Sequence, residues 1–407
     1  MSQTHDGTLS VADIIQHLAN PYLLYHQLRE LDPVYWDQRA NSWVLTRYAD
    51  VTVALRDPHY TVMGFMSDTS WIPADMRPTL EPPLRAVSRQ MLFQDPPDHT
   101  RLRGLVAKAF TPRMIESLRP VIQQVTDELL DQAETKGHME VIGDFAFPLP
   151  AIIIATMLGV PPEDRDRFNR WSSYFGRLLD GGDFSLEKVF EAISEVSDFL
   201  DYFRTIMHAR RVAPKDDLLQ AMIDAEEQGD ALSEEELLGN CILLLAAGHG
   251  TTTHLIGNGT LALLRHPDQL QLLQEQPSLV PSAVAEVLRY DSPVQLTSRR
   301  AKEALQIGGK QVSAGQEVIM LLGAANHDPA QFADPDRLLL ARPESRHLSF
   351  GLGVHFCLGA ALARLEGEIA FSTLFKRFPH LRLETDVVEW QPSMVFRGLK
   401  QLPVSFT

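Results

Sequence analysis

The chain has 407 residues, of which 37 are basic and 53 acidic, for a formal net charge of −16. Hydrophobic residues make up 44% and charged residues 22%, a balance that excludes a disordered chain and allows a large core. The acidic excess argues against a nucleic-acid binder, whose footprint is basic. The two cysteines, Cys241 and Cys357, exclude a disulfide framework and suit a reducing cytoplasm.

The N-terminus MSQTHDGTLSVADIIQ lacks the basic start and apolar run of a signal peptide, so a cytoplasmic protein without a membrane anchor is expected. Helical periodicity dominates, predicting a mainly α fold with minor β. Val34-Tyr35-Trp36 and Trp43-Val44-Leu45 read as strands. The segment 61–93 has scattered Pro, Gly and Met without a sustained period and reads as one long loop, the kind that often lines a binding site. The apolar stretch 145–160, interrupted by Pro148 and Pro150, is too short to span a membrane and reads as a buried helix. After Ser298 a second strand region is expected, with a hairpin turning at Gly308-Gly309.

The most informative helix is predicted over 233–265. Ser233 followed by Glu236 is a capping-box pattern, and His266-Pro267 closes the run because proline cannot continue a helix. Such a helix is about 50 Å long. Its apolar centre, CILLLAAG, should be buried, with Cys241 on the packed side and chemically silent. Yet the helix carries Gly239, Gly248, Gly250, Gly257 and Gly259, each costing about 1 kcal/mol against alanine. Either close helix packing or a flat ligand lying against Gly248 and Gly250 would offset that cost. The polar run GHGTTTH at 248–254 favours the ligand, because polar groups in a buried helix need partners.

Near the C-terminus, Gly351, Gly353 and Gly359 surround Cys357, with His355 two residues before it. Leu358, Ala361, Leu362, Leu365 and Ile369 have helical spacing, so a helix should begin just after the cysteine. A cysteine at a helix N-terminus is expected to favour thiolate, which serves as nucleophile or metal ligand.

The run Phe350-Gly351-Leu352-Gly353-Val354-His355-Phe356-Cys357-Leu358-Gly359 is similar to the heme-binding signature of the cytochrome P450 family. Other landmarks follow in family order along nearly the whole chain. Glu286-Val287-Leu288-Arg289 resembles the E-x-x-R element. Phe332-Ala333-Asp334-Pro335 with Arg342 resembles the meander. Asp95-Pro96-Pro97-Asp98-His99-Thr100-Arg101-Leu102-Arg103 resembles the helix that contacts the heme propionates. Ala247-Gly248-His249-Gly250-Thr251-Thr252 resembles the oxygen-activation site.

The resemblance implies one domain over 1–407 with the family's triangular fold, heme lying between the long central helix and the helix that follows the cysteine loop. It implies heme b with Cys357 as axial ligand, where a thiolate favours O–O cleavage. Phe350 and Gly359 would shape the cysteine loop, and His99, Arg103, Arg299 and His355 would clamp the propionates. Glu286, Arg289 and Arg342 would form a buried structural network. The implied activity is insertion of one oxygen atom from O2 into a hydrophobic small molecule, in secondary metabolism such as polyketide, macrolide or antibiotic biosynthesis. Fatty acids, terpenes and carrier-protein-bound acyl chains are alternatives. Leu92, Leu244, Ala247, Gly248, Val294, Leu296, Met394 and Val395 would line the substrate pocket.

One position departs from the family pattern. An acid usually precedes the threonine that fills the Thr251 position, and here that place is Gly250. Ordered water could replace the carboxylate, a substrate group could assist, or the enzyme could use peroxide directly. We favour a water relay anchored by Thr251, Thr252 and His249. Electrons are expected from NAD(P)H through a ferredoxin or flavodoxin and its reductase. The basic run Arg101, Arg103, Lys108 and Arg113, without an intervening carboxylate, is the expected docking surface. The rival readings are a peroxide-driven peroxygenase and, in another class, a non-catalytic heme-binding sensor.

Overall fold

The strand-like runs around the first two tryptophans become Val34–Asp37 and Ser42–Leu45, paired antiparallel with Trp36 opposite Trp43 and their rings 5.6 Å apart. Ser42–Leu45 pairs parallel with Glu317–Leu321, which pairs antiparallel with Leu296–Ala301. Tyr60–Thr61 closes that sheet at its far edge. The hairpin Leu305–Ile307 to Lys310–Val312 turns where expected. Its two central residues, Gly308 and Gly309, have φ of 55° and 79°, and a Cβ on Gly308 would stand 2.5 Å from Val34 Cγ2. Both the backbone sign and the close approach require glycine there.

The computed structural model describes residues 9–64, 72, 74–179, 186–215, 217–227, 232–343 and 345–406. These fall into two compact units, each gathered from separated stretches of chain. One holds the described residues of Met1–Thr61, Gly257–Phe356 and Leu383–Leu402. The other holds those of Val62–Ile256, Cys357–Arg382 and Pro403–Thr407.

The first unit contains the five-stranded sheet, with a core that includes Val34, Leu45, Val51, Leu55, Val318 and Met320. The second is mainly helical. Its larger helices include Asp98–Ala109, Arg119–Lys136, Pro148–Met157, Leu186–Val212 and Ala360–Arg377, with Trp171, Phe199 and Phe203 fully buried among them. The long helix is Glu234–Arg265, 32 residues, with its expected cap formed: Glu236 N–H donates to Ser233 Oγ at 3.2 Å and Ser233 N–H to Glu236 Oε2 at 2.8 Å. Among the described residues no helix is long and apolar enough to cross a membrane.

Two local expectations are corrected. The segment 61–93 is not one loop. Residues 65–71 and 73 lie outside the described residues, but Arg77–Ser88 is a helix despite Pro82 and Pro83, and Met91–Phe93 is a 3-10 turn. Burial of Leu80, Pro83, Ala86 and Val87 offsets the lost backbone bonds, so packing overrides local propensity. The predicted helix over 145–160 is divided. A π-helical turn, Val141–Ala146, precedes Pro148–Met157, whose Pro148 stands in the first turn, where no N–H is needed.

Candidate functional site

Three of the long helix's glycines have distinct surroundings. A Cβ on Gly239 would stand 2.3 Å from the Ala86 carbonyl oxygen, and one on Gly248 would touch Ile154 at 3.4 Å. Gly239 therefore serves close packing, whereas a side chain at Gly248 would make an ordinary contact. Around Gly250 nothing lies within 4 Å of a Cβ. The burial pattern agrees. Leu237 to Ala246 and Thr252 to Leu263 are buried, whereas Ala247 is exposed and Gly248, Gly250 and Thr251 are half-buried. One turn of an otherwise buried helix is thus open, and it carries the predicted oxygen-activation residues.

The polar side chains of that turn diverge. Thr251 Oγ1 donates to the Ala247 carbonyl at 2.7 Å. The next hydroxyl, that of Thr252, is buried and hydrogen-bonds the carboxyl group of Glu366, whose pKa burial raises to about 8. Glu366 was not singled out in the sequence. Its signal is a carboxylate four residues after Leu362 and three before Ile369, on the apolar stripe of the helix Ala360–Arg377.

His249 does not face the open turn as a water anchor. Its Nδ1 is 2.5 Å from Ser172 Oγ and its Nε2 is 2.9 Å from the Phe147 carbonyl. Both ring nitrogens are thereby engaged, and burial lowers its pKa to about 4, so the ring is neutral. The histidine braces the helix, and a relay would rest on the threonines. Cys241 is fully buried, its thiol pushed up to about 12, in keeping with a packing role.

Cys357 is half-buried, three residues before the first residue of Ala360–Arg377, so the helix starts close to where spacing placed it. Burial is the largest influence on the thiol and raises its pKa. The Gly359 N–H and the guanidinium groups of Arg103 and Arg364 pull the other way without overcoming it. Burial and the nearby donors thus act on this sulfur in opposite directions, and a bound metal cation would add to the donors' side. Around it the loop leaves apolar side chains open, Val354 at 53% and Phe356 at 37% exposure. Gly353, with φ of 75°, would place a Cβ 2.5 Å from the Leu55 carbonyl oxygen, which is why a glycine stands there.

Of the expected propionate clamp, His99 and Arg103 lie in one helix, Asp98–Ala109, with His99 buried and Arg103 half-buried. Arg299 Nη1 donates to Thr297 Oγ1 at 3.0 Å and to the Ser298 carbonyl at 2.7 Å on its own strand. His355 closes the 3-10 turn Gly353–His355, and the Phe350 ring packs 6.3 Å from Phe356. In the basic run, Arg101 is committed to Glu236 at 2.6 Å and Asp98 at 3.2 Å. A carboxylate 135 positions away in sequence neutralises it, which local spacing could not reveal.

The buried network forms as expected. Arg289 donates to both Glu286 oxygens at 2.9 Å and to the carbonyls of Asn326, Pro335 and Arg337. Arg342 Nε lies 3.1 Å from both oxygens of the same carboxylate. Asn326 adds a link that the sequence did not announce: its Oδ1 accepts from Leu348 N–H at 2.7 Å and its Nδ2 donates to Ser349 Oγ at 2.9 Å. The segment leading to the cysteine loop is thereby tied to the network.

For the substrate residues, Val294 bridges Phe396 and Gln295 N–H donates to the Val395 carbonyl at 2.8 Å, so the turn and the tail do meet. Val294, Leu296, Met394 and Val395 are half-buried. Leu92 is 37% exposed and Leu244 is buried.

A family model described as Cytochrome P450 matches residues 62–401. The chain belongs to the cytochrome P450 family. It is 45% identical over 378 residues to cytochrome P450 CYP107DY1 of Priestia megaterium, covering 90% of each chain. It is 40% identical over 399 residues to the polyketide biosynthesis cytochrome P450 PksS of Bacillus subtilis, covering 95% of this chain and 96% of that one. Among solved structures it is similar to P450BioI in complex with an acyl carrier protein bearing hexadec-9Z-enoic acid. That match has a TM-score of 0.88 and 40% identity, over 96% of this chain and 99% of the other.

Members of the family are oxygenases that use heme, molecular oxygen and electrons from a redox partner. The residues of this P450 fit that group. Cys357 is a soft sulfur donor that suits iron, its loop presents apolar side chains, and Arg103 supplies positive charge beside it.

Proposed function

We propose that this P450 binds heme b through Cys357 and inserts one oxygen atom from O2 into a carbon-rich substrate, a polyketide or a related acyl chain. The observation that carries the reading is the open turn Ala247, Gly248, Gly250 and Thr251 in the middle of a buried helix. The two units, neither contiguous in sequence, are read as one P450 domain over 1–407. Heme supplies the oxygen chemistry. His99 and Arg103 would hold its propionates from one helix, and Arg299 and His355 are the other donors the resemblance implies. Phe350 and Gly359 shape the ligand loop.

In this reading Thr251 orients water at the open turn. Thr252 passes protons from Glu366, a protonated acid at neutral pH whose hydrogen-bond partner it is. That arrangement compensates for the missing carboxylate at Gly250 and favours O2 over peroxide as oxidant. Apolar Leu92, Leu244, Ala247, Val294, Leu296, Met394 and Val395 with Gly248 suit a substrate poor in charge. The likeness to a polyketide biosynthesis P450 and to a P450 in complex with an acyl carrier protein bearing hexadec-9Z-enoic acid supports that substrate class. NAD(P)H would supply electrons through a ferredoxin or flavodoxin and its reductase, docking on exposed Lys108 and Arg113 rather than on Arg101.

The test compares turnover of free and carrier-bound acyl and polyketide substrates with O2 plus redox partners against turnover with hydrogen peroxide alone. Product that requires O2 and electrons supports the monooxygenase, and faster product with peroxide alone would establish the peroxygenase instead. Lys108→Glu should slow reduction by ferredoxin and leave reduction by dithionite intact.

A further inference from the structure

Away from the residues assigned to heme and oxygen, His26, His327 and Asp336 converge. Their ligating atoms lie within 4.8 Å of one another. His26 Nε2 is 2.9 Å and 3.0 Å from the two Asp336 carboxylate oxygens, and His327 Nδ1 is 2.8 Å from one of them. All three line a cavity of about 280 Å³. Its mouth reaches solvent at Asp336, 59% exposed, while His327 is buried.

Donor accounting shows what this trio lacks. His327 Nε2 lies 2.9 Å from the Tyr290 carbonyl, which can only accept, so the ring proton belongs on Nε2. In the neutral ring Nδ1 then presents a lone pair to the Asp336 carboxylate. Two acceptors at that distance repel unless a second ring proton or a metal cation stands between them. Stacking on Tyr22, with centroids 4.0 Å apart, holds the ring in this orientation.

Two imidazoles and a carboxylate are a donor set suited to zinc, with solvent as fourth ligand. The Tyr290 carbonyl is the outer partner that a ligating histidine usually has. Arg29 sets a condition. It contacts His26 Nδ1 at 2.5 Å and also donates to the carbonyls of Ala324 and His327. A metal on Nε2 places the His26 ring proton on Nδ1, so Arg29 must give up the ring and keep its two carbonyls.

We propose that His26, His327 and Asp336 form a binding site for a zinc-type divalent cation. The ion would pin the segment around Asp336 to the helix Tyr22–Leu31. Because Pro335 and Arg337 give their carbonyls to Arg289, it would brace the network from outside.

The test titrates ZnCl2 into chelator-stripped holoenzyme by calorimetry and follows thermal unfolding. One equivalent should bind saturably and raise the melting temperature. His26→Ala and Asp336→Asn, both at accessible positions, should each weaken that binding by at least about tenfold and abolish the thermal shift. The reduced carbon-monoxide spectrum should stay unchanged in all three proteins, which separates this site from Cys357. Absence of saturable zinc binding, or equal binding by both variants, overturns the proposal and leaves a second proton on His327 as what relieves the contact.

Discussion

The hydroxyl of Thr252 is hydrogen-bonded to the carboxyl group of Glu366, joining the long helix to the helix after Cys357 through two buried side chains. Burial raises this acid from its ordinary 4.5 to about 8, so the folded protein holds a proton that the unfolded chain releases. The stability this contributes is fully present below about pH 4.5 and is lost as pH rises through about 8. Glu366→Gln keeps the shape and removes the titration. Its melting temperature should therefore gain on wild type as pH rises from about 4.5 to about 8, and equal slopes for the two proteins across that range would contradict the raised pKa. The same variant should lower product formed per O2 consumed.

Thr251 stands at the open turn with its hydroxyl donated back to Ala247. In Thr251→Ala, oxygen consumption should continue while product per O2 falls by more than about tenfold and hydrogen peroxide appears. An oxygen electrode with a peroxide assay reads this directly. Unchanged coupling removes the threonine from proton delivery.

Gly250 has room for a side chain. Gly250→Glu should therefore fold, with stability raised by about 0.5–1 kcal/mol through helix propensity. It should also change coupling or substrate range, because it restores a carboxylate where the family usually has one. Equal turnover of every substrate tested would show the position to be inert.

Glu286 serves two arginines, one of them fully buried. Glu286→Ala leaves Arg289 without its counter-charge and should cost about 3–5 kcal/mol in urea unfolding. A loss below about 1 kcal/mol, the size of an exposed ion pair, would contradict the network's structural weight.

Local signals carried much of this in the sequence. The capping box at Ser233 and Glu236, the strand pair around Trp36 and Trp43, the hairpin at Gly308-Gly309 and the cysteine loop all depend on neighbours within a few residues. What stayed hidden depends on distant partners. The helix Arg77–Ser88 exists because its apolar side is buried, against the preference of its prolines. Arg101 looked like a free docking charge until Glu236 met it, and His249 looked like a water anchor until Ser172 and Phe147 took both nitrogens. Glu366 was concealed inside an apolar stripe, where only its burial and its bond to Thr252 mark it.

The central claim is that the Cys357 sulfur binds heme iron. The most direct measurement is the carbon-monoxide difference spectrum of the dithionite-reduced protein, taken with Cys357→His alongside. Wild type should show the red-shifted Soret maximum of a thiolate-ligated heme, and the variant should move to the imidazole-type position. An imidazole-type maximum in wild type, or a thiolate-type maximum that survives the substitution, would contradict it.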